Sequence, residues 1–298
     1  MIDRIRRLKE QKNAVILAHN YQVPEIQDIA DFLGDSLELS KVSQELKVSL
    51  IVFCGVRFMA ETAKILSPEK RVLSPVPDAA CPLADKINTR QLLDLKNKYP
   101  DAWVVSYVNS TAEIKALSDI CCTSANAVNV VRNIPVKQII FVPDKNLGWW
   151  VKKNVFQKEI IIWEGFCYVH EEFSLEDLRK SKEACPGAEV MVHPECRAEI
   201  LECADYVVST SGMLKRAKES PVKKFIIGTE EGMIYRLKKE NPRKEFYSLG
   251  CPKVCKDMKK ISLKDVLTSL EEEKFELELE AGVIAKAKKA IGKMMKYV

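Results

Sequence analysis

The sequence lacks the long apolar runs and the one-sided charge that mark membrane proteins and nucleic-acid-binding proteins. Its longest apolar runs, such as residues 49–56, are far shorter than the roughly 20 residues that a membrane-spanning helix needs. Charges of both signs are interspersed and sum to only +5 at neutral pH, and no helix-turn-helix with a basic face is evident. We therefore expect neither a membrane nor a nucleic acid as a partner.

Two further absences bear on cofactor and compartment. The sequence has no P-loop and no GxGxxG pattern, so ATP and NAD are not expected as cofactors. Residues 1–12 are charged and helical in pattern, without the apolar segment of a secretory signal. We expect a cytoplasmic protein, in which a disulfide framework does not explain the ten cysteines. Metal binding or thiol chemistry is then the leading explanation for those cysteines that are not simply buried.

What the sequence does contain is a threefold internal repeat. Residues of matching type recur at offsets of 88 and then 86 residues along the chain of 298. Five sets keep these offsets, which indicates three copies of one structural unit. The sets are His19, Tyr107 and His193; Tyr21, Asn109 and Glu195; Glu25, Glu113 and Glu199, each followed by isoleucine; Asp31, Asp119 and Asp205; and Ser36, Ser124 and Thr210.

Each copy reads as β-α-β-α-β-α-β. In the first copy a helix is predicted to begin at Pro24 and to continue to Gly34, with a second strand ending near Ser36. Short apolar strands that alternate with helices predict parallel sheets covered on both faces. Strands are predicted at residues 14–18, 49–53 and 71–73, and helices at residues 37–46 and 59–66.

The predicted fold is therefore α/β, with three homologous three-layer αβα units arranged around a pseudo-threefold axis. Ser262 and Asp265 resemble a helix N-cap arrangement, and residues 281–295 are amphipathic. We expect C-terminal helices there that pack back on the first unit. The predicted domains are residues 1–86, 87–172 and 173–261 for the three units and residues 262–298 for the C-terminal helices.

Polar residues fall where the predicted strands end, and ligands of open parallel sheets bind beyond the carboxyl ends of the strands. Serine and threonine at these positions also suit helix N-caps, and the two roles are compatible because a helix N-terminus attracts anions. Tyr21 and Glu195 occupy the same position in units one and three and are the candidate acid and base, with His193 as a further catalytic candidate. The candidate substrate-binding residues are His19, Ser36, Tyr107, Asn109, Ser124, His193, Glu195, Ser209 and Thr210.

Three cysteines occur once per unit at equivalent positions, namely Cys81, Cys167 and Cys255. Around a pseudo-threefold axis their thiolates would meet. A three-cysteine zinc site with an open position is one interpretation. Another is a [4Fe–4S] cluster whose fourth iron is free to act as a Lewis acid in dehydration and carbonyl activation. Cys251 is an alternative fourth ligand, but it has no counterpart in the other units.

Twelve short motifs follow one another along nearly the whole chain. They are AHNY at 18–21, GDS at 34–36, GVRFMAE at 55–61, CPLAD at 81–85, YVN at 107–109, CTS at 122–124, PDKNLG at 143–148, GFCYVH at 165–170, HPE at 193–195, STSGM at 209–213, GTEEG at 228–232 and CKDM at 255–258. In this ordered set, rather than in any single motif, the sequence resembles the quinolinate synthase family.

The resemblance implies three αβα domains around a [4Fe–4S] cluster held by Cys81, Cys167 and Cys255. It implies condensation of iminoaspartate with dihydroxyacetone phosphate in NAD biosynthesis, with iminoaspartate supplied by an aspartate oxidase or dehydrogenase. Lys256 stands where the family often has proline, although Met258 is retained. The alternatives are an aconitase-type iron–sulfur hydro-lyase and a non-enzymatic iron–sulfur sensor.

Overall fold

The computed structural model describes residues 1–297, which form three parallel four-stranded sheets. The first sheet contains β1 (Ala14–His19), β2 (Phe32–Gly34), β3 (Leu50–Cys54) and β4 (Arg71–Leu73). The second contains β5 (Trp103–Tyr107), β6 (Ile120–Cys122), β7 (Gln138–Val142) and β8 (Glu159–Ile162). The third contains β9 (Glu189–Val192), β10 (Tyr206–Val207), β11 (Lys224–Gly228) and β12 (Glu245–Ser248). Across each sheet the strands lie in the order second, first, third, fourth, so the first strand pairs with both the second and the third.

The helices repeat in the same order in each unit. Unit one contains α1 (Ile2–Lys12), α2 (Pro24–Ile29), α3 (Ser36–Glu45) and α4 (Arg57–Leu66), then a 3-10 turn at Ala84–Lys86. Unit two contains α5 (Thr89–Lys98), α6 (Ala112–Leu117), α7 (Ala127–Asn133), α8 (Lys145–Asn154) and α9 (Tyr168–Glu171). Unit three contains α10 (Leu175–Ala184), α11 (Ala198–Cys203), α12 (Thr210–Glu219), α13 (Gly232–Glu240) and a 3-10 turn at Met258–Lys260. The chain continues through α14 (Leu263–Glu272), α15 (Ala281–Met294) and a 3-10 turn at Met295–Tyr297.

These elements confirm the predicted fold class of three αβα units followed by C-terminal helices. Apolar strands such as β3 are buried along their whole length, as expected for a parallel sheet with helices on both faces. The division of the chain at particular residue numbers stays a prediction. Among residues 1–297, no helix is long and apolar enough to cross a membrane.

The prediction of one helix from Pro24 to Gly34 is wrong. Helix α2 ends at Ile29, and the last three residues of the predicted helix, Phe32–Gly34, form strand β2. Asp31 explains this early end. Its backbone N–H donates to the Ile16 carbonyl at 2.9 Å, and its carboxylate accepts from the Ile16 N–H at 2.7 Å. These bonds tie the chain to β1 directly after α2, so Leu33 contributes to a strand rather than to a helical face.

The two other aspartates of this repeat set make the same pair of bonds. The Asp119 carboxylate accepts from the Val104 N–H at 2.8 Å, and the Asp119 N–H donates to the Val104 carbonyl. Asp205 forms the same two bonds with Val190, and its carboxylate is again 2.8 Å from the backbone nitrogen. A carboxylate that accepts a strand N–H satisfies a donor which the sheet would otherwise leave unpaired. This repeat set is therefore explained by the fold, not by the site.

The two C-terminal helices pack on different units. Helix α14 begins with the predicted capping arrangement of Ser262 and Asp265 and lies against α1 and β3 of unit one. Helix α15 lies mainly against α6 and β6 of unit two and also contacts α4 of unit one. Its buried face includes Ile291 and Met294. The last helix therefore bridges two units, which differs from the expectation that the whole tail packs on unit one.

Candidate active site

The carboxyl ends of the three sheets converge on one cavity. It is the kind of concave, largely pre-formed site in which small molecules bind. Helices that follow the strands contribute its apolar wall, through Val56, Phe58 and Met59. The predicted site residues that line it are His19, Tyr21, Ser36, Cys81, Tyr107, Asn109, Ser124, Cys167, His193, Glu195, Thr210 and Cys255.

Ser209 is the predicted substrate-binding residue that does not line this cavity. Its hydroxyl accepts from the Gly212 N–H at 3.2 Å and caps α12. The structure thus gives Ser209 the capping role that the sequence left open. Ser36 differs, because it is the first residue of α3 and Asp35 is the cap.

The three repeat-equivalent cysteines enter the cavity from similar turns. Each precedes a short helical segment, and each carbonyl accepts a backbone N–H three or four residues further on. Burial raises the pKa of all three thiols, and in each case a backbone N–H three residues along opposes that rise. Those N–H groups belong to Ala84 for Cys81, His170 for Cys167 and Met258 for Cys255.

This donor set fits a metal cluster held by three thiolates. All three thiols are free, all line one cavity, and each comes from a different unit. Backbone N–H groups close to each thiol, which oppose the rise of its pKa, belong to the kind of outer interaction that stabilises cluster ligands. Cys251 is exposed and does not line the cavity, so its position does not suggest a fourth ligand.

Glu195 is the centre of the polar network. Its Oε2 lies 2.8 Å from His170 Nδ1, and its Oε1 accepts from Asn109 Nδ2 at 3.2 Å. Burial alone would raise the pKa of the Glu195 carboxyl. The rings of His170 and His193, together with hydrogen bonds from His170 and Tyr107, lower the pKa by more than burial raises it, to about 2. Glu195 is therefore a carboxylate at neutral pH.

His19 and His193 are held as neutral donors. Nδ1 of His19 accepts from the Tyr21 N–H at 3.2 Å, and Nδ1 of His193 accepts from the Glu195 N–H at 3.4 Å. A neutral ring that accepts at Nδ1 carries its proton on Nε2. Burial lowers the pKa of both rings to about 3. Nε2 of His193 lies 3.1 Å from Ser124 Oγ.

A chain of hydrogen bonds joins Tyr21 to Glu195. The Tyr21 hydroxyl lies 2.6 Å from Thr229 Oγ1, and Thr229 Oγ1 lies 2.9 Å from His170 Nε2. Because His170 donates from Nδ1 to the Glu195 carboxylate, its Nε2 accepts in the neutral ring, so Thr229 donates to it and accepts from Tyr21. Burial raises the pKa of the Tyr21 phenol well above its ordinary value, so Tyr21 holds its proton at rest.

Sequence reasoning placed Thr229 at a strand end and His170 beside Cys167 but assigned neither a catalytic or binding role. Thr229 directly follows β11, so its place at a strand end was a usable signal. His170 lies three residues after Cys167, and only the tertiary structure shows that its ring reaches both Glu195 and Thr229. Cys167, His170 and Glu195 also offer ligand atoms within 4.8 Å of one another, and the hydrogen bonds above account for that proximity.

Neutral donors and acceptors outnumber the charged side chains of the cavity, which are the acidic residues Asp35, Glu195 and Glu230. Among the described residues that line the cavity, none is lysine or arginine. Asn109 Oδ1 is buried and has no hydrogen-bond partner within residues 1–297. A buried acceptor without a partner carries a free-energy cost, which a ligand N–H or O–H would relieve.

Comparisons with known proteins agree on one family. The model of a family described as "Quinolinate synthetase A protein" matches residues 3–296. The chain is 55% identical to the quinolinate synthase of Caldicellulosiruptor saccharolyticus over 98% of this chain and 96% of that one. It is 52% identical to the quinolinate synthase of Thermodesulfovibrio yellowstonii over 100% and 98% of the two chains. A third quinolinate synthase, from Caldicellulosiruptor bescii, is 54% identical over 98% and 96%.

Proposed function

The chain belongs to the quinolinate synthase family, and from this premise we propose that it condenses iminoaspartate with dihydroxyacetone phosphate in NAD biosynthesis. The products are quinolinate, inorganic phosphate and two water molecules, which balances the atoms of the two substrates. The observation that carries the proposal is the single cavity into which three units deliver one cysteine each together with the polar ends of their strands.

Cys81, Cys167 and Cys255 would hold a [4Fe–4S] cluster. Such a cluster, with three protein ligands, supplies a Lewis acid at its free iron when bound. His170 Nδ1 lies 3.3 Å from Cys167 Sγ, so the same ring that contacts Glu195 also contacts a cluster ligand. Hydrogen bonds of this kind orient ligands and tune a metal centre.

Substrate anions would be bound by neutral donors. His19 and His193 present Nε2 protons, and the hydroxyls of Ser36, Ser124 and Thr210 line the same cavity. Ser36 and Thr210 are the first residues of α3 and α12, where backbone N–H groups favour carboxylate and phosphate oxygens. This arrangement suits substrates that bring carboxylates and a phosphate.

Tyr21 and Glu195 would act together in proton transfer, Tyr21 by exchanging protons and Glu195 by stabilising the charge that this creates. The Tyr21 proton can pass through Thr229 to His170 Nε2, and the Glu195 carboxylate stabilises the charge that His170 gains. Tyr21 Oη then takes a proton from the substrate and later returns one to a leaving oxygen. Loss of phosphate, carbon–carbon bond formation, ring closure and dehydration all need such transfers near neutral pH.

The test begins with anaerobic purification, iron and sulfide counts, and EPR spectroscopy after reduction. We expect about four iron and four sulfide per chain. The loaded protein should form quinolinate from dihydroxyacetone phosphate and iminoaspartate generated by an aspartate-oxidising enzyme. A loaded protein that leaves the triose phosphate unconsumed contradicts the proposal, and turnover of a small hydroxy acid instead would favour the hydro-lyase alternative.

A further inference from the structure

We propose that Asn20 and Arg236 are positioning residues which make the Thr210 hydroxyl a hydrogen-bond donor to an anionic oxygen of the substrate. This inference deepens the proposed function and rests on it, because Thr210 is taken to contact substrate. Neither Asn20 nor Arg236 lines the cavity, so both would act through Thr210.

The orientation of the Asn20 side chain follows from its two neighbours. Asn20 is completely buried, and its Nδ2 donates to Thr210 Oγ1 at 2.8 Å. On its other side, the Arg236 guanidinium donates to Asn20 Oδ1. Because a guanidinium can only donate, it holds the amide oxygen on its own side and leaves the amide N–H groups for Thr210.

The proton of the Thr210 hydroxyl is consequently free. A hydroxyl has one proton and two lone pairs, and Asn20 occupies one lone pair. Thr210 is 2% exposed and lines the cavity, and within residues 1–297 its proton finds no protein acceptor. In a cavity without lysine or arginine, the direction in which a hydroxyl points decides whether it attracts or repels an anionic oxygen.

Arg236 is suited to orienting rather than to attracting substrate. Its Nε donates to Glu240 Oε1 at 2.6 Å, so its charge is paired on its own helix, α13. The Arg236 side chain is only 15% exposed, which restricts its motion. The bonds from Arg236 to Asn20 and from Asn20 to Thr210 also join unit three to unit one, so the test must separate positioning from stabilisation of this contact.

The decisive variant is Asn20→Asp. Its carboxylate still accepts from Arg236, but it now also takes the Thr210 proton, so that only lone pairs of Thr210 face the ligand. We expect about tenfold weaker binding of the anion, the usual effect of one hydrogen bond to a charged group. Thr210→Val has no hydroxyl to reorient, so in that background Asn20→Asp should cause only the smaller loss due to its added charge.

Binding is measured by calorimetry on cluster-loaded protein for the wild type, the two single variants and the double variant. Quinolinate carries only carboxylates and inorganic phosphate carries only phosphate oxygens, so the titration that shows the coupling identifies the oxygen bound by Thr210. Arg236→Gln should weaken binding in the same way. Arg243→Gln, which removes an exposed charge from the same unit, is the matched control and should leave binding unchanged.

Equal losses from Asn20→Asp with and without the Thr210 hydroxyl would overturn the inference, because they would show a charge effect or a structural effect alone. If the wild type forms quinolinate while this coupling is absent, only the positioning role fails. If the wild type forms no quinolinate, the proposed function fails, and the coupling is still read from the calorimetry. Failure of the wild type to bind either anion overturns the inference, whereas quinolinate formation alone decides the proposed function.

Discussion

At the scale of single residues, the cavity shows one backbone motif used twice for histidine. His19 and His193 each accept the N–H of the residue two positions on, so both present a proton at Nε2. In unit two the equivalent position is Tyr107, a buried phenol that faces the Glu195 carboxylate and lowers its pKa. The repeat thus preserves a donor at this position while its chemical type changes.

Replacement of one cluster cysteine should abolish the cluster. Cys167→Ala removes one of three thiols from the cavity, and we expect loss of the brown chromophore and of most of the bound iron, measured by absorbance and iron assay after anaerobic purification. Cys203→Ala, at an exposed thiol, is the control. Full cluster content in the Cys167 variant would refute the ligand assignment, and a similar loss in Cys251→Ala would restore the alternative fourth ligand.

Removal of the Tyr21 hydroxyl should slow turnover without affecting assembly of the iron–sulfur cluster. Tyr21→Phe breaks the bond to Thr229 and removes the group that exchanges a proton with substrate. We expect unchanged iron content and a turnover about 10²–10⁴ times slower, the usual contribution of a general acid or base. Tyr235→Phe loses a hydroxyl that bonds Asp28 instead and should turn over normally. Near-normal turnover in Tyr21→Phe would remove it from the mechanism.

At the scale of elements, hydrogen bonds to acidic side chains determine where a helix ends and how the C-terminal helices are attached to unit one. Asp31 ends α2 by clasping β1. After α14, Glu273 adopts a left-handed backbone conformation with φ 49°. Its carboxylate bonds Lys12 of α1 at 2.5 Å and also Arg71 of β4. One side chain therefore joins the end of the tail helix to both the first helix and the last strand of unit one.

This contact predicts a pH-dependent contribution to stability. Hydrogen bonds from Lys12 and Arg71 lower the pKa of Glu273 from 4.5 to about 2. A depressed pKa stabilises the fold above the unfolded value, and that stabilisation is lost as the pH falls from about 4.5 towards 2. The side chain is 34% exposed, so solvent screening keeps the contribution below about 1 kcal/mol.

Glu273→Gln should accordingly lower the free energy of unfolding at pH 7, with the difference from the wild type shrinking at pH 3. Urea unfolding of the cluster-free protein at the two pH values measures it. Glu278→Gln, at an exposed carboxylate with no ion pair within residues 1–297, serves as the control. A difference that stays constant between pH 7 and pH 3 would show that the ion pairs do not depress the Glu273 pKa.

At the scale of the whole molecule, the units are joined by buried polar contacts as well as by apolar packing. Lys115 of unit two is completely buried, and its Nζ donates to the Ser110 carbonyl at 2.5 Å. Glu61 of unit one accepts from the Ala112 N–H at 3.0 Å. Burial lowers the pKa of Lys115, and the charge of Glu61 opposes that shift. Both contacts hold the loop that carries Asn109 into the cavity.

Lys115→Met should therefore destabilise the junction of units one and two. The apolar side chain keeps most of the volume but leaves the buried Ser110 carbonyl without its donor and removes the charge that the Glu61 carboxylate faces. Loss of a hydrogen bond from a charged group costs about 1.5–3 kcal/mol, which urea unfolding will detect. Lys137→Met, at an exposed lysine of the same unit, should be neutral. Equal stability of the two variants would contradict this role for Lys115.

The repeat made much of the site predictable. Offsets of 88 and 86 residues align His19 with His193 and Tyr21 with Glu195, and the strand-end rule for parallel sheets places them at one edge. The three cysteines are spaced by 86 and then 88 residues, which places one in each unit. The roles of Thr229 and His170 were not predicted, because they depend on hydrogen bonds between segments that are far apart in sequence, and such bonds leave no spacing pattern. Ser209 was assigned to the site because a cap and a ligand contact look alike in sequence.

The order of apolar and polar residues along the chain determined the αβα units, the strand ends and the residue types available for chemistry, since these depend on local periodicity and on position within a repeat. Only the tertiary structure decided that α15 would bridge two units and that Arg236 would orient Asn20 against Thr210. Hydrogen-bond direction depends on which donor meets which acceptor across units, and that pairing exists only after the three units have packed together.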